Sequence, residues 1–334
     1  MPVRRSGADI PSDGARGLAA GRLRPMNSGE RSVVVGGMAV PPALTRWLLW
    51  QNDQAGPFLD ALPALADSLL RRWDLAPDPS FRPRSGAHAL VIGVSRARES
   101  LVLKLSIDPA EVILEETLLR LWDGAGAVRL VDASAAEGAL LLERLDPSDS
   151  LAGVALPVAG EFAGALLRRL AIPAPADLPL VRTLEIADAI AAANPVEGES
   201  ELIESRESDQ VRRLAAQLAD DDPGPASDLV VHADLHYDNV LAGYREPWLA
   251  IDPRARRGSP EIAVAELLWT RADEVGDGTG FADLLAAVVT AGELDPDRAR
   301  AWAVARSLDY LRWGLAHGLT EDPPRCARII RALV

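Results

Sequence analysis

One short tract gathers oxygen ligands and a proton acceptor. A strand-like run, Leu229-Val-Val-His, opens into a polar loop and returns through Gly243 and Pro247 to Leu249-Ala-Ile-Asp252. A strand, a loop and a hairpin in that order bring Asp234, Asn239 and Asp252 near one another. Two carboxylates and a carboxamide oxygen are hard ligands of the kind magnesium accepts, with water and phosphate completing its shell. Phosphoryl transfer needs such a set. Asp234 would orient an acceptor hydroxyl and take its proton, while Asn239 and Asp252 would hold Mg2+ against nucleotide phosphate oxygens. A turn-forming role explains each of these residues singly but accounts poorly for their joint spacing.

A counter-charge is also in the chain. Of 35 basic residues, Lys104 is the only lysine. Where arginine is written everywhere else, a surviving lysine suggests a site that a guanidinium cannot serve. Lys104 lies in Leu101-Val-Leu-Lys-Leu, a strand-like run in which an idle surface ammonium fits badly. At a strand's end it would neutralise the α and β phosphates, with a glutamate on the next helix holding it in position. That helix is well punctuated, with Asp108 as N-cap, Pro109 at N1, Glu111 at N3 for a capping box, and Gly124 to end it. Glu115 is the expected partner, because Glu111 already caps and Glu116 points about 100° further round.

His232, Asp234 and His236 also read as a candidate metal site, which makes a metal hydrolase a competing hypothesis. Only four histidines exist, and zinc wants three or four ligands, so both are expected to bond loop backbone instead. Asp273, Glu274 and Asp277 either meet an amine-bearing ligand or simply end a helix.

The elements follow from periodicity. Residues 1–37, rich in Gly, Arg, Ser and Pro, read as a disordered leader, with Met38 an alternative start. Two amphipathic helices follow from Pro41. Strands are expected at Ala89–Val94, Leu101–Leu105, Ala127–Val131 and Gly138–Leu145, with the capped helix between the second and third. After Pro147 the pattern turns helical, over 156–171, 180–194, 203–219, 261–272, 281–291 and 296–317. The organisation is therefore a leader (1–37), a strand-rich lobe (38–146) and a helical lobe (147–334).

Composition narrows the partners. Hydrophobic types make up 48% and charged types 25% of 334 residues, ample for a packed core. A net charge of −14 argues against nucleic acid or an acidic membrane as partner. One cysteine, Cys326, allows neither an internal disulfide nor a cysteine zinc cluster. No apolar run reaches the roughly 18 residues of a membrane span, so a cytoplasmic protein is expected. Residues 195–228 carry ten acids and three arginines, either a solvated face or a field for a cationic ligand.

His232-Ala-Asp-Leu-His-Tyr-Asp-Asn-Val-Leu resembles the catalytic loop of aminoglycoside phosphotransferases. Leu101-Val-Leu-Lys-Leu, Leu119–Leu130, Gly138–Leu145 and Arg245–Arg254 are similar to the streptomycin 6-kinase and hydroxyurea phosphotransferase branch, in the right order from Met38 onward. The resemblance implies an α+β, bilobal protein-kinase-like fold with a strand-rich N-lobe and a helical C-lobe. It implies ATP bound through hinge backbone near Glu143 to Leu145, a nucleotide loop at Gly86, and Mg2+. The implied acceptor is a hydroxyl of a small polar molecule, most simply a cationic aminoglycoside, with hydroxyurea or another metabolite as the alternative. Ala233 replaces the family's usual Gly, and Ser259 and Ala263 stand at positions that are usually acidic. Those departures motivate a third reading, a nucleotide-binding pseudokinase.

Overall fold

The structure is a computed structural model that describes residues 33–51, 54–86, 88–221, 224, 228–276 and 278–334. The first part runs β1 (Val34–Val35), β2 (Met38–Ala39), α1 (Pro42–Gln51), α2 (Ala55–Arg72), β3 (Ala76–Pro77), β4 (Arg84–Ser85), β5 (Ala89–Arg96) and β6 (Glu99–Ser106). Then come α3 (Pro109–Trp122), β7 (Leu130–Ser134), β8 (Ala139–Glu143) and β9 (Asp146–Ser150). The remainder opens with α4 (Leu156–Leu170), α5 (Thr183–Ala192), α6 (Glu199–Leu202), α7 (Ser205–Asp220), β10 (Leu229–His232), β11 (Val240–Ala242) and β12 (Trp248–Ala250). It closes with β13 (Ala255–Gly258), α8 (Val264–Trp269), α9 (Gly280–Gly292), α10 (Pro296–Ala316) and α11 (Asp322–Leu333).

These elements form two compact units. One takes the described residues up to Gly153 together with Asp238–Ala255; the other takes Val154–Tyr237 and Arg256–Val334. The chain therefore crosses between units more than once, because β11 finds its partners, β9 and β12, in the strand-rich unit.

In that unit an antiparallel sheet has the order β3-β5-β6-β8-β7, with β4 also on β5. Leu90, Ile92 and Val94 alternate along β5, and Leu101, Leu103 and Leu105 along β6; all six are fully buried. They pack with Leu59, Leu62 and Leu69 of α2, which recur at helical spacing on one face. Each such leucine contributes about 1.5–3 kcal/mol by leaving water. Because β-strand side chains alternate, this register sends Lys104 to the other face.

Two expectations shift here. The leader's last residues are ordered, since Val34–Val35 pairs with Met38–Ala39 and Val35 is buried in the core; residues 1–32 lie outside the described residues. The strand expected from Ala127 begins only at Leu130. Val128 and Gly126 instead hydrogen-bond Ala250 of β12, at 2.8 and 2.9 Å.

The helical unit is built around α10, which buries Trp302, Leu308, Tyr310 and Leu311. Gly164 lets α4 close on α9, since a Cβ there would stand 2.4 Å from the Val288 carbonyl oxygen. The helix expected over 261–272 is a short 3₁₀ turn, Pro260–Ala263, followed by α8. Helix α11 has no counterpart among the expected helices. Its Pro323 and Pro324 occupy the first turn, where no N–H is needed. Among the described residues, no helix is long and apolar enough to cross a membrane.

Candidate active site

In the strand-rich unit, Lys104 is the centre of a three-residue ion arrangement. Its side chain leaves β6 into a buried position, and Nζ donates to Glu115 Oε2 at 2.6 Å and to Asp252 Oδ1 at 2.5 Å. Helix α3 presents Glu115 because Asp108 caps its start, accepting from the Ala110 and Glu111 backbone N–H groups, with Pro109 following; the expected capping box does not close through Glu111, since the Asp108 N–H donates to Ser106 Oγ at 3.1 Å. From there Glu115 falls on the buried face, whereas Glu116 turns outward to pair with Arg120. Burial opposes charge on Lys104, but Asp252 and Glu115 outweigh it and raise its pKa, so the ammonium persists. Burial pushes Glu115 up to about 7, with Lys104 opposing and Asp252 adding to the rise. One of its oxygens, Oε1, is buried without a partner.

Asp252 follows β12 with φ +55°, a left-handed conformation that aspartate tolerates better than most residues. Strain of this kind collects at functional sites. Its side chain is 48% exposed, unlike the buried Lys104 and Glu115 beside it. Gly86 lies against it, since a Cβ on Gly86 would come within 3.8 Å of Asp252 Oδ2. Asn239 is buried just before β11, and its carbonyl accepts from the Ile251 N–H at 2.8 Å, directly before Asp252. A half-open carboxylate, an asparagine tied by its main-chain carbonyl to the residue before Asp252, and a Cβ-free approach supply oxygen donors of the kind a hard divalent cation takes. Among the described residues, no group of three or more His, Cys, Asp or Glu is arranged to hold a metal by itself. A cation held here would complete its shell with phosphate oxygens and water.

Glu143 and Leu145 stand at and just after the end of β8. The Glu143 carboxylate accepts from the Arg129 N–H at 2.7 Å and from Arg245 Nη2 at 2.8 Å. His88, near Gly86, has its pKa lowered by burial and by Arg254, with Asp252 opposing.

In the helical unit, Asp234 occupies the loop after β10 and is 5% exposed. His232 Nδ1 accepts from the Asp234 N–H at 3.3 Å, the loop-bracing role expected of it. Beneath the loop lies a feature that sequence reasoning missed. Glu266 of α8 is buried, with Oε1 taking a 3.3 Å hydrogen bond from Arg306 of α10 and Oε2 unpartnered. Burial pushes Glu266 up to about 8; Arg306 pulls it down only in part, and Asp234 adds to the rise. The available signal was a lone acid inside the apolar run Ile262-Ala-Val-Ala-Glu-Leu-Leu-Trp. The candidate amine-binding acids are otherwise engaged: Arg325 holds Asp273, Arg271 holds Glu274, and Asp277 lies outside the described residues.

Solved structures share the architecture. Aminoglycoside phosphotransferase APH(4)-Ia, in a ternary complex with ADP and hygromycin B, superposes with a TM-score of 0.56 at 17% identity, over 80% of this chain and 97% of that one. A choline/ethanolamine kinase family protein from Mesorhizobium loti gives 0.53 at 17% identity, over 80% and 99%. The fold is thus the α+β, protein-kinase-like fold of small-molecule phosphotransferases, as the motifs implied.

Sequence relatives narrow the class. The family model for aminoglycoside/hydroxyurea antibiotic resistance kinases matches residues 72–318. A streptomycin 6-kinase from Streptomyces griseus is 37% identical over 84% of this chain and 92% of its own length. A hydroxyurea phosphotransferase from Kitasatospora aureofaciens is 36% identical over 96% and 94%. The chain belongs to the aminoglycoside/hydroxyurea antibiotic resistance kinase family, and it is a phosphotransferase.

Proposed function

We propose that the chain transfers the γ-phosphoryl group of ATP to a hydroxyl of a small, polar, cationic molecule, with streptomycin the first candidate. The observation that carries this reading is the buried Lys104 ammonium held between Glu115 and the half-exposed Asp252. In it, Lys104 neutralises the α and β phosphates, and Glu115 keeps the ammonium aimed at them. Asn239 and Asp252 would hold Mg2+, which when bound supplies charge neutralisation at the phosphate oxygens. Gly86 admits the phosphates, and the main chain from Glu143 to Leu145 receives the adenine. Asp234 orients the acceptor hydroxyl and accepts its proton as the oxygen attacks phosphorus in line with the departing ADP oxygen.

A second acceptor is favoured by one finding. The hydroxyurea phosphotransferase matches a larger share of this chain than the streptomycin 6-kinase, at nearly equal identity. Mass spectrometry of streptomycin, other aminoglycosides and hydroxyurea, each incubated with protein, ATP and Mg2+, separates the readings. One added phosphoryl group on streptomycin is the expected result. Transfer to hydroxyurea alone supports the second acceptor, and ATP binding without any product supports a pseudokinase.

A further inference from the structure

The metal-ligand pair sits at one end of a hairpin whose other end is gripped by a single arginine. Strands β11 and β12 pair through Val240↔Ala250, Leu241↔Leu249 and Ala242↔Trp248. Asn239 and Asp252 flank the open end of this ribbon, and Arg245 lies in its turn. The Arg245 guanidinium reaches three separate elements. Nη1 donates to the Gly124 carbonyl at the end of α3, and Nη2 to the Ala127 carbonyl. Nε and Nη2 donate to Glu143 Oε1 at 2.9 and 2.8 Å. Glu143 is itself fixed by the Arg129 N–H. Gly124 is suited to this grip, with φ +80° and a missing Cβ that would stand 3.3 Å from Arg245 Nη2.

Helix α3 and the hairpin are therefore tied together twice. At one end Lys104 joins Glu115 of α3 to Asp252 of the hairpin; at the other Arg245 joins the α3 terminus to the hairpin turn. A planar fork with five donors can serve two carbonyls and a carboxylate at once, and a cation suits the carbonyl end of a helix. An ammonium cannot make the same set of bonds.

From this geometry we propose that Arg245, anchored by Glu143, is a positioning residue that fixes the spacing of Asn239 and Asp252 for the divalent cation. The proposal rests on the ATP–Mg2+ reading above. Loss of the fork frees the hairpin at its turn while Lys104 still holds Asp252. The cation-dependent part of nucleotide binding should fail while the cation-independent part survives.

The test is calorimetric titration of ATP, with Mg2+ and with EDTA, into wild type, Arg245→Ala, Arg245→Lys and Glu143→Gln. The expected result is a Kd with Mg2+ about tenfold weaker in both Arg245 variants, and a Kd in EDTA within about twofold of wild type. With Mg2+, Glu143→Gln should weaken ATP binding by less than Arg245→Ala and, combined with it, should add little, because both act through one contact. Should Arg245→Ala lack a cooperative urea transition, the titrations of Arg245→Lys decide the matter. Wild-type affinity with Mg2+ in a folded Arg245 variant overturns the proposal, as does an equal loss with and without Mg2+. A wild type whose ATP binding ignores Mg2+ overturns the functional reading itself.

Discussion

Lys104 illustrates how charge type, and not only charge, matters at one position. A compact ammonium reaches two carboxylates within 2.6 Å in a buried site that a guanidinium fork would overfill. Lys104→Arg should keep the fold but lower kcat/KM by about 10²–10³-fold, the usual cost of losing a well-placed transition-state donor. Steady-state kinetics alongside a urea melt check this. Glu266 makes a different prediction. Its carboxyl is pushed up to about 8 in the fold, above the unfolded value of 4.5. The stability it contributes is thus full below about pH 4.5 and lost as pH rises through about 8. Glu266→Gln cannot ionise, so its urea midpoint should fall less between pH 6 and pH 9 than wild type's; an identical fall contradicts the assignment. Lys104 and Glu115 are legible in the sequence because scarcity and capping single them out. Glu266 is not, since its importance comes from α10 and the Asp234 loop packing around it.

At the scale of elements, the strand-rich unit depends on pairings between segments far apart in the chain. Strands β5, β6 and β8 are readable as short, largely apolar runs set off by turns. Strand β9, Asp146-Pro-Ser-Asp-Ser, has the composition of a loop and is a strand only because β11, about a hundred residues later, pairs with it. The hairpin that carries Asn239 and Asp252 is legible in the sequence, but not its membership of the strand-rich unit. In the helical unit a comparable long-range tie joins Arg182, next to α5, and Arg257 of β13 through Asp228, with both Nε atoms 2.9 Å from Oδ2. Asp228 is buried, so removing it leaves two guanidinium groups short of a partner. Asp228→Ala should cost about 3–5 kcal/mol, read as a lower urea midpoint at unchanged slope. A change within experimental error would show that this three-residue cluster is not coupled to folding.

Over the whole molecule the net charge of −14 favours a cationic acceptor at long range. The structure tempers that field. Glu199 is neutralised by Arg312, Asp228 by Arg182 and Arg257, and Asp221 by Arg298, all within or beside the acidic run 195–228. What steering remains is a surface effect and should fade with salt, over a Debye length of about 10 Å at 0.1 M. If streptomycin is the acceptor, raising ionic strength should therefore raise its KM with little change in kcat; if uncharged hydroxyurea is, its KM should stay unmoved. The fold and the family are legible at this scale because several motifs occur in the right order. The acceptor is not, because no single residue carries it.

The measurement that bears most directly on the phosphotransfer account is acceptor-dependent ADP release by wild type and Asp234→Ala in parallel, each with its ATP affinity measured. The account predicts acceptor-stimulated ADP release in wild type. It predicts a fall of about 10²–10⁴-fold in Asp234→Ala, the range for a lost general base, with ATP affinity nearly unchanged. Equal turnover in the two proteins would contradict it.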